Sequence, residues 1–359
     1  MKIYYAVEKA IEASRFNAGS KARDDVNDIL LDSGAIPVNI SYDTEENREG
    51  KTILDKLLYH RRTVSIWEQG LKDVESDSAI VFQFPIRAHT LFFYKALRRL
   101  KKRRIKTIAI IHDLECLRNS LFYQKGQGLK GKRYKYEEVF CLQEFDKIIV
   151  HNEHMKDVIS SMFNINKDKM ISLEIFDYLI PDYIAHENAN DRVVIAGNLD
   201  RNKSGYIYKL PDNVTFDLYG ANYSGEKKTN IDYKGAFLPD ELPLHLSGMY
   251  GLVWDGPETL TCSGVHGSYM KYNNPHKTSL YLACGIPVIV WDKAAIADFV
   301  VGHQCGVAVS SIDDLGSVLE KMSEDSYLEM RSHAAALGKR LRDGEFTKKA
   351  IEKCNIVGC

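Results

Sequence analysis

Short apolar runs alternate with amphipathic stretches of ten residues or more, and this alternation passes through the chain twice. In the first half the pattern predicts strands at Lys2–Val7, Ile36–Ile40, Ala79–Phe82, Thr107–Ile111 and Lys147–Val150. Helices are predicted at Lys21–Ser33, Thr52–Glu68, His89–Lys102, Tyr134–Glu144 and Glu153–Phe163. In the first helix Val26, Ile29 and Leu30 share a face, and Gly34 stops it. Strands separated by helices of this length form βαβ units, and hence a parallel sheet covered on both faces. The segment Phe176–Asp191 is polar, holds Pro181 and has no clear period, so the rhythm breaks there. It resumes with strands at Arg192–Ala196, Thr215–Tyr219, Gly251–Trp254 and Pro287–Trp291. The second set of helices falls at Asp240–Ser247, His276–Cys284, Lys293–Val300, Ile312–Met322 and Asp325–Leu341, with a last one at Phe346–Asn355. The expected fold is therefore α/β, with two Rossmann-like, doubly wound parallel-sheet domains facing a cleft. The expected boundaries are 1–180, a linker at 181–191, a second domain at 192–341 and a helical tail at 342–359. Ligands of such sheets sit at the carboxyl ends of the strands, so the loops that follow strands are where chemistry is to be sought.

Composition removes several alternatives. Of 359 residues, 48 are basic and 49 acidic, a formal net charge of −1, whereas a protein that coats nucleic acid is far more basic. The apolar runs Ile108–Ile111 and Ile286–Trp291 fall far short of the ~20 residues that span a bilayer. Met1–Val7 leads straight into Glu8 and Lys9, with no signal-peptide pattern. Seven cysteines, an odd number without a C-x-x-C pair, fit reduced thiols. The expectation is a cytoplasmic protein.

The richest stretch is Tyr272-Asn273-Asn274-Pro275-His276-Lys277-Thr278-Ser279. It has the grammar of a helix start, with Asn274 at the cap and Pro275 at the first helical position, and Gly285 ends the helix. A helix N-terminus offers free N–H groups and partial positive charge, so it can hold phosphate, and Lys277 adds a full charge. A well-capped core helix with a solvated lysine has the same pattern. The Gly-rich loop Asp255–Lys271 before it tips the reading toward phosphate. Gly197-Asn198-Leu199-Asp200-Arg201 follows the first strand of the second half, where Gly197 permits close approach and Arg201 can pair with a diphosphate. An ordinary βα loop reads equally well. Asp255 and Glu258 either hold sugar or ribose hydroxyls or cap a turn. At the end of an apolar strand, His112-Asp113 offers a general base or a satisfied polar pair.

His151 and His154 lack metal-ligand spacing and a third ligand, so no metal is expected. Neither a G-x-G-x-x-G nor a P-loop is present, which disfavours a dinucleotide oxidoreductase. Lys95–Lys106 holds eight basic residues in twelve positions beside Leu91-Phe92-Phe93-Tyr94. That run, with Arg98, Arg99, Lys101, Lys102, Arg103 and Arg104, is either a solvated face or an anionic-membrane patch.

Several stretches resemble the bacterial β-1,6-galactofuranosyltransferase family of O-antigen and cell-surface polysaccharide assembly. They are Asn17-Ala18-Gly19-Ser20-Lys21-Ala22-Arg23, Ile175-Phe176-Asp177-Tyr178-Leu179, Ala196-Gly197-Asn198-Leu199 with Arg201, and Tyr219-Gly220-Ala221-Asn222-Tyr223. Trp254-Asp255-Gly256, Thr261-Cys262-Ser263-Gly264, Asn273–Tyr281 and Trp291-Asp292-Lys293-Ala294-Ala295 complete the set. A more distant similarity is to bacterial glucosyltransferases that extend glycans on serine-rich adhesins. The resemblance implies the GT-B fold and a UDP site in the second domain, with Arg201, Tyr219 and Lys277 on the diphosphate. Gly197, Asn198, Asn274, His276, Thr278, Asp255 and Glu258 join them in the candidate donor site, and Asn17, Ser20 and Lys21 stand on the acceptor side. The implied activity is inverting transfer of galactofuranose from UDP-galactofuranose to a sugar hydroxyl of a lipid-linked acceptor. No metal or other cofactor is expected, and the enzyme would be peripheral at the inner membrane face. Asp113 is the favoured base, with His112 beside it and Glu12 next in line. Rival readings are a UDP-glucose-dependent enzyme extending a protein-linked glycan and a non-catalytic glycosyltransferase-like partner. Homo-oligomerisation stays open.

Overall fold

A computed structural model describes residues 1–10, 18–42, 52–88, 90–120, 129–184 and 191–355. The chain divides into two compact units. One is built mainly from Val26–Leu173 with the first strand, and the other from Glu174–Thr347 with the start of the first helix. From Lys348 the chain belongs to the first unit again.

The first unit holds strands β1 (Ile3–Ala10), β2 (Ile36–Tyr42), β3 (Ala79–Phe84), β4 (Lys106–Ile111), β5 (Lys147–Val150) and β6 (Met170–Ser172). All pair in parallel, in the order β2-β1-β3-β4-β5-β6. Between them run α1 (Ala18–Asp32), α2 (Ile53–Gly70), α3 (Phe93–Lys102), α4 (Glu115–Ser120), α5 (Leu129–Glu144) and α6 (Glu153–Phe163). Helix starts follow local chemistry. Thr52 and Asp55 form a reciprocal capping box on α2, and Asn152 accepts from Met155 N–H at 2.8 Å to cap α6. Every residue of β3 is buried, and the core gathers Trp67, Phe82, Phe93 and Phe145 in tilted and edge-to-face pairs.

The second unit holds β7 (Val193–Ala196), β8 (Phe216–Tyr219), β9 (Ile231–Gly235), β10 (Tyr250–Val253), β11 (Val288–Trp291) and β12 (Gly306–Val309). They are again parallel, in the order β12-β11-β10-β7-β8-β9. Its helices are α7 (Leu242–His245), α8 (Gly264–Tyr269), α9 (His276–Ala283), α10 (Ala297–Gly302), α11 (Leu315–Glu320) and α12 (Glu324–Arg342), while α13 (Glu345–Lys353) crosses into the first unit. Two doubly wound parallel sheets are thus present as expected.

Three strands escape the sequence pattern, each at a sheet edge. β6 has three residues, β9 is largely exposed, and β12 opens on a glycine. Short or polar edge strands carry too little alternation to register. Part of the loop read at Asp255–Lys271 is helix α8. The cap of α9 also needs correction. Pro275, not Asn274, is the N-cap, in extended geometry, and His276 opens the helix. The Asn274 amide donates instead to Glu174 O at 2.8 Å. Gly285 ends α9 as expected, at φ +69.

Tyr281 of α9 is fully buried, and its hydroxyl accepts from the N–H of Ala196, the last residue of β7, at 2.6 Å. Gly251 in β10 makes room for that ring, since a Cβ there would lie 2.2 Å from Tyr281 Cγ. Gly251→Ala should therefore cost about 1–3 kcal/mol by overpacking, read as a lower urea midpoint. Gly302→Ala, where nothing lies within 4 Å of the new atom, should leave the midpoint near wild type.

Candidate functional site

In the second unit the chain leaves β7 for β8 on one side and returns to β10 on the other. The crevice at such a switch point, beyond the carboxyl ends of the strands, is where doubly wound sheets take ligands. The loops after β7 and β10 meet the start of α9 there.

Gly197 and Gly220 follow β7 and β8 at φ +137 and +148, a region that favours glycine. Gly197 N–H donates to Tyr219 O at 2.9 Å, and a Cβ on Gly220 would collide with Gly197 O. The two turns can lie against each other only without side chains. Asn198 Oδ1 then accepts from Asp200 N–H at 3.1 Å and Asn222 Nδ2 at 3.0 Å, so Asn198 staples the loop. Arg201 is exposed, its guanidinium 4.0 Å above the Tyr208 ring. The β10 loop zips onto this one: Gly256 N–H donates to Lys203 O at 3.1 Å, and Tyr206 N–H to Gly256 O at 3.2 Å.

Lys277 reaches the same place from the first turn of α9. Its ammonium donates to Trp254 O at 2.8 Å and Asp255 Oδ1 at 3.3 Å, with both side chains mostly buried. Thr278 is fully buried, and its Oγ1 has no partner among the described residues, nor has His276 Nε2. His276 is buried against Tyr178, with ring centroids 5.0 Å apart, and near Phe176. Burial lowers its pKa to about 4, and the Lys21 charge acts in the same direction, so the ring is neutral at pH 7. Two predicted members turn away from this group. Glu258 pairs with Lys209 at 2.7 Å. Tyr219 is buried near Phe237, with its hydroxyl at the Ser247 backbone, and burial raises its pKa.

Of the acceptor-side residues, Asn17 lies outside the described residues and Ser20 is half-buried. Lys21 is buried, and its ammonium donates to Asp25 at 2.6 Å, Asp240 at 2.9 Å and Leu179 O at 2.9 Å. An ammonium has three protons, so all are engaged within the protein. Asp25 also accepts from Leu179 N–H, and burial lifts its pKa to about 7 against the opposing pull of Lys21. The sequence reading did not include Asp25, Asp240 or Tyr178. The i, i+4 spacing of Lys21 and Asp25 was the available signal.

In the first unit, His112 and Asp113 follow β4. Glu12 lies outside the described residues. Asp113, the favoured base, is not buried. It is 45% exposed and pairs with Arg118 at 2.8 Å, while Arg118 also holds Glu115 at 2.8 Å. His112 Nε2 lies 2.7 Å from Gln83 Oε1, and Gln83 Nε2 donates to Asn27 Oδ1 at 2.7 Å. Neither amide was identified from sequence. His151 is buried, and desolvation lowers its pKa to about 4.

The basic run of α3 is largely paired. Arg98 bonds Glu144, Arg99 bonds Glu68, Arg104 bonds Asp77, and Arg103 donates to the carbonyls of Leu71, Lys72 and Val74. Lys101 and Lys102, like Lys95 and Lys106, are exposed, with no ion pair among the described residues. Among those residues, no three His, Cys, Asp or Glu side chains gather as a metal site requires, and no helix is long and apolar enough to cross a membrane.

Comparison with known proteins gives this geometry its family. Residues 4–175 match the Glucosyltransferase 3-like N-terminal domain, and residues 193–354 match the C-terminal domain of the same family. The chain is 34% identical over 351 residues to the β-1,6-galactofuranosyltransferase WbbI of Escherichia coli strain K12, covering 95% of each chain. WaaG, a glycosyltransferase involved in lipopolysaccharide biosynthesis, shares the fold at TM-score 0.58 and 11% identity, over 99% of both chains. Anabaena HepE, solved in complex with UDP and glucose, does so at TM-score 0.59 and 14% identity, over 98% of both. The GT-B fold read from the sequence is thus present, and the chain belongs to the Glucosyltransferase 3-like family of glycosyltransferases.

Proposed function

We propose that this hexosyltransferase moves a galactofuranosyl residue from UDP-galactofuranose to a sugar hydroxyl of a surface-polysaccharide acceptor carried on lipid, with inversion. The observation that carries the reading is the convergence on the β7–β10 switch point of the Lys277 ammonium, the α9 N-terminus and the buried Thr278 hydroxyl, which has no partner among the described residues. A helix start with a cation beside it favours a diphosphate. In the transfer, the acceptor oxygen attacks the anomeric carbon as the bond to UDP breaks, and the electron pair leaves on the β-phosphate. Lys277, Arg201 and the α9 N–H groups stabilise that charge, the part a metal plays elsewhere. A general base takes the hydroxyl proton. Galactofuranose as donor rests on the 34% identical relative. The family description favours glucose as a second reading.

A panel of UDP-sugars offered with lipid-linked and free oligosaccharide acceptors, with products identified by mass and NMR, tests the donor. Transfer from UDP-galactofuranose above all others is expected, and preference for UDP-glucose would establish the second reading. Lys277→Ala should remove a charge-assisted contact of about 1.5–3 kcal/mol. UDP affinity, measured by calorimetry, should then drop about tenfold or more. Turnover should survive excess EDTA; its loss, with rescue by Mn²⁺ or Mg²⁺, would make the leaving group metal-bound.

The enzyme is proposed to work in the cytoplasm at the inner membrane face. The exposed lysines of the 95–106 run then contribute weak attachment, and charge reversal at Lys101 and Lys102 should lower binding to vesicles containing anionic lipid. Wild-type binding should itself fall at high salt.

A further inference from the structure

Arg201 lies in the loop after β7, and its guanidinium sits 4.0 Å above the centre of the Tyr208 ring. Tyr223 stacks with the same ring at 5.7 Å and 20°, and Tyr233 meets Tyr223 at 5.1 Å. The two end rings of this ladder are tied to backbone. The Tyr208 hydroxyl donates to Leu199 O at 2.8 Å and accepts from Ser224 N–H at 3.1 Å, so it joins the loops that follow β7 and β8. The Tyr233 hydroxyl donates to Gly220 O at 2.9 Å. A guanidinium above an aromatic face is held by the negative potential of the ring, while its N–H groups lie in its own plane and stay free to donate sideways. No hydrogen bond or ion pair joins the Arg201 guanidinium to another described residue. Tyr208 thus places a cation without neutralising it, whereas Lys277 is met by the Asp255 carboxylate. The two cations ride on loops that are bonded together, since Lys203 O accepts from the N–H of Gly256, the residue after Asp255.

We propose that Tyr208 is a positioning residue for the donor diphosphate, its ring holding Arg201 so that the guanidinium is ordered before the anion arrives. This rests on the diphosphate reading of Arg201 above. An exposed arginine otherwise gives up its rotamer freedom on binding, which lowers affinity. With the side chain already laid over Tyr208, the fork of N–H groups meets phosphate oxygens in its own plane while the ring keeps its face. Two parts of one side chain then have separate tasks. The hydroxyl braces the loops after β7 and β8, and the ring carries the cation.

The test is UDP affinity by calorimetry, with uridine, which carries no phosphate, as the control ligand followed by ligand-observed NMR. Tyr208→Phe and Tyr208→Leu both lose the hydroxyl, and only the second loses the ring. Tyr208 is half-buried at the surface, so both variants should fold. Tyr208→Leu should weaken UDP binding about 3–10-fold and leave uridine unchanged, while Tyr208→Phe stays within about twofold of wild type for both ligands. Arg201→Ala should lose about tenfold for UDP, and adding Tyr208→Leu to it should cost nothing more, because the ring then has no cation to hold. Wild-type UDP affinity in Tyr208→Leu, equal losses from Tyr208→Phe and Tyr208→Leu, equal losses for UDP and uridine, or additive losses in the double variant each overturn the proposal. Those outcomes leave the diphosphate reading of Arg201 standing as long as Arg201→Ala loses affinity. Wild-type UDP affinity in Arg201→Ala removes Arg201 from the diphosphate site, and the positioning role of Tyr208 with it.

Discussion

The bond from Ala196 N–H to the Tyr281 hydroxyl sets the geometry of the proposed donor site. Ala196 is the last residue of β7, and Tyr281 lies one turn into α9 from Lys277. The bond fixes the distance between the switch-point loop and the helix start that carries the cation. It is buried, so losing it would leave an amide unpaired at about 1–3 kcal/mol. Burial also raises the pKa of the Tyr281 phenol, which keeps it a neutral hydroxyl. Gly251 in the neighbouring strand is the complement of that ring, and Gly197 and Gly220 let the β7 and β8 turns lie flush beneath the loop. One tyrosine and three glycines therefore hold the frame, and none needs to touch a ligand to matter.

Two lysines in the second unit show how one residue type divides between structure and chemistry. Lys21 meets two carboxylates and a carbonyl, all within 2.9 Å, which offsets the cost of burying its charge. Lys277 has one carbonyl at 2.8 Å and one carboxylate at 3.3 Å, so its charge is less fully met. In the proposed site a diphosphate arriving at α9 would find a cation that is already placed and only partly neutralised. Asp255 then has two jobs: it keeps the lysine aimed in the absence of ligand, and it sets a like charge beside the incoming anion. In the proposed reaction the second effect would weaken diphosphate binding and favour release of UDP after transfer.

Much of this was legible in the sequence where two signals coincided. Central strands buried on both faces read as continuous apolar runs, and the capping grammar around Pro275 marked the α9 start to within one residue. The edge strands β6, β9 and β12 were not legible, because a strand of three to five residues with an exposed or glycine-led pattern has no period to detect. Lys21 was legible as a motif residue but not as a buried one, since its partners Asp240 and Leu179 are distant in sequence. The Gln83–His112 contact needed the β3–β4 register, which no single-strand pattern contains. A lone glutamine inside AIVFQF was the trace it left, for a buried polar residue in an apolar strand requires a partner.

The basic run of α3 marks the limit of reading charge along a line. Eight cations in twelve positions look like a patch, yet Glu68, Asp77 and Glu144, from other segments, neutralise three of them, and the carbonyls after α2 take a fourth. What remains exposed, at Lys95, Lys101, Lys102 and Lys106, is worth ~1 kcal/mol per residue near an anionic surface. About 4 kcal/mol gives weak, salt-sensitive binding to an anionic surface, and stable anchoring needs a second attachment. In the proposed reaction the lipid-borne acceptor would supply that second attachment, so that membrane residence would follow substrate engagement.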